Sequence, residues 1–189
     1  MSVLLRATDL EGRPVVTLGG ERVAEVKDVV FDSARGKLIG FSLRGVGLLS
    51  RSREDALPWN MVSALGRDAV MILDEGAFQV KSSLAAEGIP DDRNVLGNLV
   101  LTDTGTHLGT VVDVIIEVGP TADIVGYEVA AAEALASRGE RVLIPLPDTI
   151  AISGEHLIVP AAATDFVAND LTGFGAAVDA FRTKLHQGG

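Results

Sequence analysis

Leu108-Gly109-Thr110-Val111-Val112-Asp113-Val114-Ile115-Ile116-Glu117 is a β-branched run launched from the turn Asp103-Thr104-Gly105-Thr106, and it has a counterpart earlier in the same chain. The counterpart is Val23-Ala24-Glu25-Val26-Lys27-Asp28-Val29-Val30-Phe31-Asp32, launched from Gly19-Gly20-Glu21. Gly12 and Gly97, Gly20 and Gly105, Val26 and Val111, Asp28 and Asp113, and Val29 and Val114 are all 85 positions apart. A fixed offset over glycines and β-branched residues alike is the mark of an internal duplication, so each half is expected to fold as its own small body.

Around the first copy, Val15-Val16-Thr17-Leu18 reads as a strand. Gly19-Gly20-Glu21 reads as a tight turn, because glycine takes positive φ without a Cβ penalty. Asp32-Ser33-Ala34-Arg35-Gly36 is a second turn, and Lys37 to Leu43 returns as a third strand. A longer loop over Arg44 to Asp55 leads to the short segment Ala56-Leu57-Pro58-Trp59, edge-like because Pro58 has no N–H to donate, and Ala69 to Leu73 closes a set of five strands. In the second copy the offset grows to 86 at Leu38/Ile124, Gly40/Gly126 and Phe41/Tyr127, then to 87 at Pro58/Pro145, Val70/Leu157 and Ile72/Val159. Each added residue falls in a turn or loop, where insertions cost little packing. The expected division is a first domain over 1–76, a linker over 77–94 with one helical turn near Ser83 to Glu87, a second domain over 95–163, and a C-terminal helix and tail over 164–189.

That final segment changes period. Val167, Leu171, Phe174, Val178, Phe181 and Leu185 step by 4, 3, 4, 3 and 4, a helical stripe with Thr164 or Asp165 as cap. Gly173 and Gly175 each cost roughly 1 kcal/mol relative to alanine, so a break is expected there.

Of the 189 residues, 47% are hydrophobic and 22% charged, which excludes the disordered class. Charged residues and glycines interrupt the apolar runs too often for a membrane-spanning helix, and Met1 to Thr8 is too short for a secretory leader; the expected location is the cytoplasm. With no cysteine, disulfides and thiolate chemistry are excluded together. Residues 1–80 carry ten basic and eleven acidic side chains, residues 81–189 six and fifteen. Only the first half suits a polyanionic partner.

The residues Gly12 to Asp32 with Leu57-Pro58-Trp59 resemble the PRC-barrel family. So, in the second copy, do Leu96-Gly97, Gly105, Leu108 to Asp113, Val125-Gly126-Tyr127, and Ile144-Pro145 with Leu157-Ile158-Val159. That family includes the cytoplasmic domain of the photosynthetic reaction-centre H subunit and the C-terminal domain of a ribosome maturation factor. The resemblance implies small, strongly bent barrels that bind or assemble. The H subunit's membrane helix and the maturation factor's separate N-terminal domain have no counterpart in this chain, where a second barrel stands instead.

Few residues invite chemistry. Asp28 and Asp113 hold equivalent positions, and strict alternation places each on the face of its apolar neighbours; a carboxylate there is expected to accept backbone N–H bonds, or to be turned outward by a bulge. Gly20, Gly105, Pro58 and Pro145 are structural positions in the same sense. His107, His156 and His186 lack metal-ligand spacing, and Gly45-Val46-Gly47 lacks the remainder of a phosphate-binding fingerprint. No cofactor, metal or catalytic set is expected. Arg44, Arg51 and Arg53, beside Leu48 and Leu49, form a basic loop with an apolar tip, suited to an acidic partner or simply solvated beside Glu54 and Asp55.

The sequence thus predicts an all-β protein of two tandem PRC-like β-barrels plus a C-terminal amphipathic helix, a non-enzymatic binding or assembly module. A protein partner or self-association is expected. The stripe is covered either by the chain's own barrel or by a partner or second copy in a homodimer. An RNA- or ribosome-associated role through the first domain is the alternative, and a small-ligand protein or enzyme a third.

Overall fold

The computed structural model describes residues 3–32, 35–46, 55–85, 95–147, 151–153 and 155–187. In chain order the strands are β1 (Val3–Arg6), β2 (Pro14–Thr17), β3 (Arg22–Asp32), β4 (Lys37–Gly45), β5 (Asp55–Pro58), β6 (Val62–Leu65), β7 (Val70–Ile72) and β8 (Gln79–Val80), then β9 (Leu99–Thr102), β10 (His107–Val118), β11 (Ala122–Ala131), β12 (Arg141–Pro145), β13 (Ala151–Ser153) and β14 (His156–Val159). Among the described residues two α-helices accompany them, α1 (Lys81–Ala85) and α2 (Leu171–Gln187). Two compact units result: a first of Ala7–Asp32 and Lys37–Asp92, and a second of Met1–Arg6, Ser33–Gly36 and Arg93–Gly189.

The two units share one topology. In the first the strand order is β6-β7-β2-β3-β4-β5, in the second β13-β14-β9-β10-β11-β12. In each an antiparallel meander is closed by a later strand that lies parallel to the meander's first, β7 on β2 and β14 on β9, and in the first unit β8 adds outside β5. The long central pairs carry matching bulges: Lys27 and Val112 are the extra residues on β3 and β10, and Ile39 and Val125 the extra residues on the facing strands β4 and β11. An extra residue on one strand bends it and increases its twist, which lets eleven or twelve residues curl around a small core.

Those cores repeat residue for residue. Val15, Val26, Phe41, Leu57, Val70 and Ile72 are buried in the first unit, and Val100, Val111, Tyr127, Ile144, Leu157 and Val159 in the second. The launching turns repeat too: Gly20 and Gly105 have φ of 91° and 86° and donate to the carbonyls of Thr17 and Thr102. The hydroxyls of Thr17 and Thr102 each accept a second turn N–H, from Glu21 and Thr106.

Several expectations are corrected. β6 and β8 add to the five strands predicted for the first unit. Trp59 leaves the strand after Pro58 and enters a 3-10 turn, Trp59–Met61, its ring edge-on to Phe41 at 6.4 Å between centroids. β1 does not join the unit that follows it in sequence: it pairs with β10, Val3 opposite Val118 and Arg6 opposite Ile115.

The C-terminal helix is shorter and more continuous than its stripe implies. Ala161–Phe166 is a 3-10 segment, Val167 is extended, and α2 begins at Leu171. Its cap is Asp170, whose Oδ1 accepts the Gly173 N–H at 2.8 Å, and not Thr164 or Asp165. Gly173 and Gly175 lie inside the unbroken helix, because tertiary packing outweighs their intrinsic cost. Phe174 and Val178 join Ile115, Val125 and Leu143 in the second unit's core. Room for the Phe174 ring comes from Gly126: a Cβ there would collide with Phe174 Cζ and with the Ile144 carbonyl, which lies 2.5 Å from that point.

Candidate functional site

The two equivalent aspartates diverge in environment. Each follows a bulge, but the Asp28 side chain is 58% exposed, where it accepts from the Ser42 hydroxyl at 3.0 Å and lies 3.6 Å from the Lys27 ammonium. Asp113 is buried, and its Oδ1 accepts the Val114 N–H at 2.8 Å. The bulge turns Asp28 outward, whereas Asp113 is retained inside.

The cross-strand neighbours differ as well. Ser42 stands opposite Asp28 and Glu128 opposite Asp113. Glu128, with its side chain 7% exposed, is the centre of a charged cluster. Its Oε1 accepts from Arg6 Nε and Nη2 at 3.3 and 3.1 Å, and its Oε2 from Arg141 Nη1 at 3.5 Å. A carboxylate this far from water requires such partners, since burying it unpaired would be costly. Arg6 is supplied by β1, 122 positions away, and no spacing rule would have found it.

Next to Glu128, Tyr127 occupies the position of Phe41. Its ring is buried, and its hydroxyl has no hydrogen-bond partner among the described residues. Burial pushes the phenol pKa up, because the phenolate would lose its hydration with nothing to replace it. In the first unit Arg13 donates to the Gly66 carbonyl at 2.6 Å and the Asp9 carbonyl at 3.0 Å; burial lowers its pKa, against the opposing pull of Asp9 and Asp68.

Of the basic loop, Leu48, Leu49, Arg51 and Arg53 lie outside the described residues. Arg44, the penultimate residue of β4, pairs with Glu25 at 3.0 Å, on the carboxylate whose other oxygen holds Arg22 at 2.8 Å. Its charge is therefore partly neutralised. On the C-terminal stripe, Phe174, Val178 and Phe181 are consumed by the second unit's own packing, which removes them as partner contacts; Val167, Leu171 and Leu185 are half-buried. The histidines stand apart, and the described residues contain no group of three or more His, Asp and Glu side chains able to hold a metal. Nor is any described helix long and apolar enough to cross a membrane.

An apolar corner of the first unit went unrecognised in the sequence. Leu18 donates its N–H to the Ile72 carbonyl at 2.8 Å, so Leu18 and Leu73 continue the parallel pair β2/β7 by one step. They are 61% and 66% exposed, just beyond strands whose Val15, Thr17, Val70 and Ile72 are buried in the core. The same corner of the second unit is polar and closed: Asp103 replaces Leu18, Pro160 replaces Leu73, and Asp103 Oδ1 accepts the Ala161 N–H at 2.9 Å. The signal was present in the repeat offset, as a Leu/Asp mismatch between turns that share Thr17/Thr102 and Gly20/Gly105.

The PRC-barrel domain family matches the chain twice, at residues 3–77 and 91–165. The first match includes β1, which by its pairing belongs to the second unit. No curated protein matches the chain. With the matches covering most of its length and one strand order found twice, the chain belongs to the PRC-barrel domain family, as a tandem pair of β-barrels followed by a helix.

Proposed function

We propose that this protein is a non-enzymatic binding or assembly module of the cytoplasm whose first barrel presents the partner-binding face. The observation that carries this reading is the Leu18/Leu73 corner. Leu18 and Leu73, one residue past the ends of the paired strands β2 and β7, are both largely exposed where the duplicated unit has an aspartate cap, and grouped apolar exposure marks interaction sites more often than scattered leucines do. The charge balance agrees, since the first half is nearly neutral and the strongly acidic second half repels polyanions. In the same reading Arg44, Arg51 and Arg53, with Leu48 and Leu49, are a second contact, suited by charge to acidic groups on the partner.

Capture of binders from lysate at low and high salt, with and without ribonuclease, tests the class of partner. A protein held by apolar contact survives both treatments. An RNA- or ribosome-associated role would appear instead as binding that falls steeply with salt and is lost on digestion, and that result would overturn the proposal.

A further inference from the structure

The second barrel is completed by a strand that the sequence assigns to the first. β1 covers Ile115 to Val118 of β10, Leu4 packs against the cluster of Ile115, Val125, Leu143, Phe174 and Val178, and Arg6 donates two hydrogen bonds to the buried Glu128. Without β1, that half of β10 would be an open sheet edge beside a buried carboxylate that keeps Arg141 at 3.5 Å but has lost its closer cation.

We infer that the β10 edge is a strand-acceptor site and that its alternative occupant is β1 of a second copy of this chain, giving a strand-exchanged homodimer. The donor strand is identical in either case, so every backbone pair and the Arg6–Glu128 bonds are the same in the closed and exchanged forms. The two forms differ in which chain supplies the strand, and the strand that completes the second unit is carried at the head of the first, at Val3–Arg6 before Ala7. Exchange of an identical element costs mainly association entropy, which concentration offsets. β1 is also short: four residues, with Val3 at its outer end 53% exposed. This gives a mode to the self-association within the assembly reading, and its failure would leave the Leu18/Leu73 face untouched.

The absence of native cysteine makes the test direct. Val3 and Val118 are register partners on β1 and β10, so the full-length double variant Val3→Cys/Val118→Cys places two thiols on facing strands, within disulfide reach. After refolding at increasing protein concentration and mild oxidation, exchange predicts covalent dimers in which the disulfide between positions 3 and 118 joins different chains, mapped by mass spectrometry, with a fraction that rises with concentration. Bridged monomer alone at every concentration overturns the inference, and so does the absence of any disulfide between these two positions. A second pair of variants guards against misfolding: Arg6→Glu and Glu128→Arg each oppose like charges when alone, whereas in the exchanged heterodimer both sites hold opposite charges. Mixing them should yield a 1:1 dimer more heat-stable than either variant, and a mixture that remains as two separate species refutes exchange.

Discussion

Replacing Tyr127 by phenylalanine removes a single hydroxyl from the centre of the second barrel, and the first barrel already shows the product, because Phe41 fills the equivalent position. In the folded state the Tyr127 hydroxyl is buried without a hydrogen-bond partner among the described residues, while in the unfolded chain water satisfies it. A buried group left unsatisfied costs roughly 1–3 kcal/mol, against which the small void left by the oxygen takes back part of the gain. The variant should be more stable by about 1 kcal/mol, a rise in Tm of roughly 2–4 °C for a chain of this size. The pH dependence adds a signature. Burial raises the phenol pKa in the folded state, so the folded protein retains a proton that the unfolded chain releases near its ordinary value of 10.0. Stability of the parent from this group is fully present below that value and falls above it, by about 1.4 kcal/mol per pH unit until the folded phenol ionises. Urea denaturation of parent and variant at pH 8, 10 and 10.5 should show a gap that is small and constant at neutral pH and widens above pH 10. A variant less stable than the parent at pH 8, or a gap that does not change with pH, would mean that the hydroxyl is bonded or hydrated and would refute the expectation.

Other substitutions separate the two barrels. Asp113→Ala should lower stability by roughly 1–3 kcal/mol through loss of a buried acceptor, whereas Asp28→Ala should cost under about 0.5 kcal/mol because its carboxylate is exposed; equal effects in thermal melts would contradict the divergence of the two sites. Gly126→Ala should cost at least about 1–3 kcal/mol by driving a methyl into Phe174 and the Ile144 carbonyl, and a variant that melts with the parent would show that α2 does not seat as described. Glu128→Ala should destabilise the second unit by roughly 1–3 kcal/mol and raise hydrogen exchange at β1, since the two Arg6–Glu128 bonds are lost; unchanged exchange over Val3–Arg6 would argue that these bonds do not hold the strand.

The duplication made most of the fold legible, because a turn, a bulged strand and a closing strand recur at fixed offsets and physics asks the same residues for the same work. Contacts between segments far apart in sequence were not legible. Val3-Leu4-Leu5-Arg6 carries no period, and its partner Ile115–Val118 lies in the other copy of the repeat, so neither β1 nor the Arg6–Glu128 bonds announce themselves. The helix was recognisable from Leu171 onward. Val167, four positions before Leu171, falls on the stripe by spacing alone, because it is extended and lies outside the helix. Asp28 and Asp113 look alike in sequence because what distinguishes them, Ser42 or Glu128 across the sheet, is a tertiary fact. Leu18 and Leu73 read as ordinary strand residues, and their exposure emerges only once Val15, Thr17, Val70 and Ile72 are seen to fill the core.

The apolar corner of the first barrel offers the most direct test of the proposed function. Leu18→Glu/Leu73→Glu exchanges two exposed side chains and should leave the melting temperature within about 2 °C of the parent, because neither contributes to the core. Quantitative cross-linking of parent and variant in lysate, with each captured protein expressed as a ratio between the two, should then show at least one protein depleted about tenfold or more with the variant, the loss expected when roughly 1.4 kcal/mol of contact is removed. Capture of the same proteins in the same amounts by both, with the fold intact, would contradict the binding face and with it the function proposed for this pair of barrels.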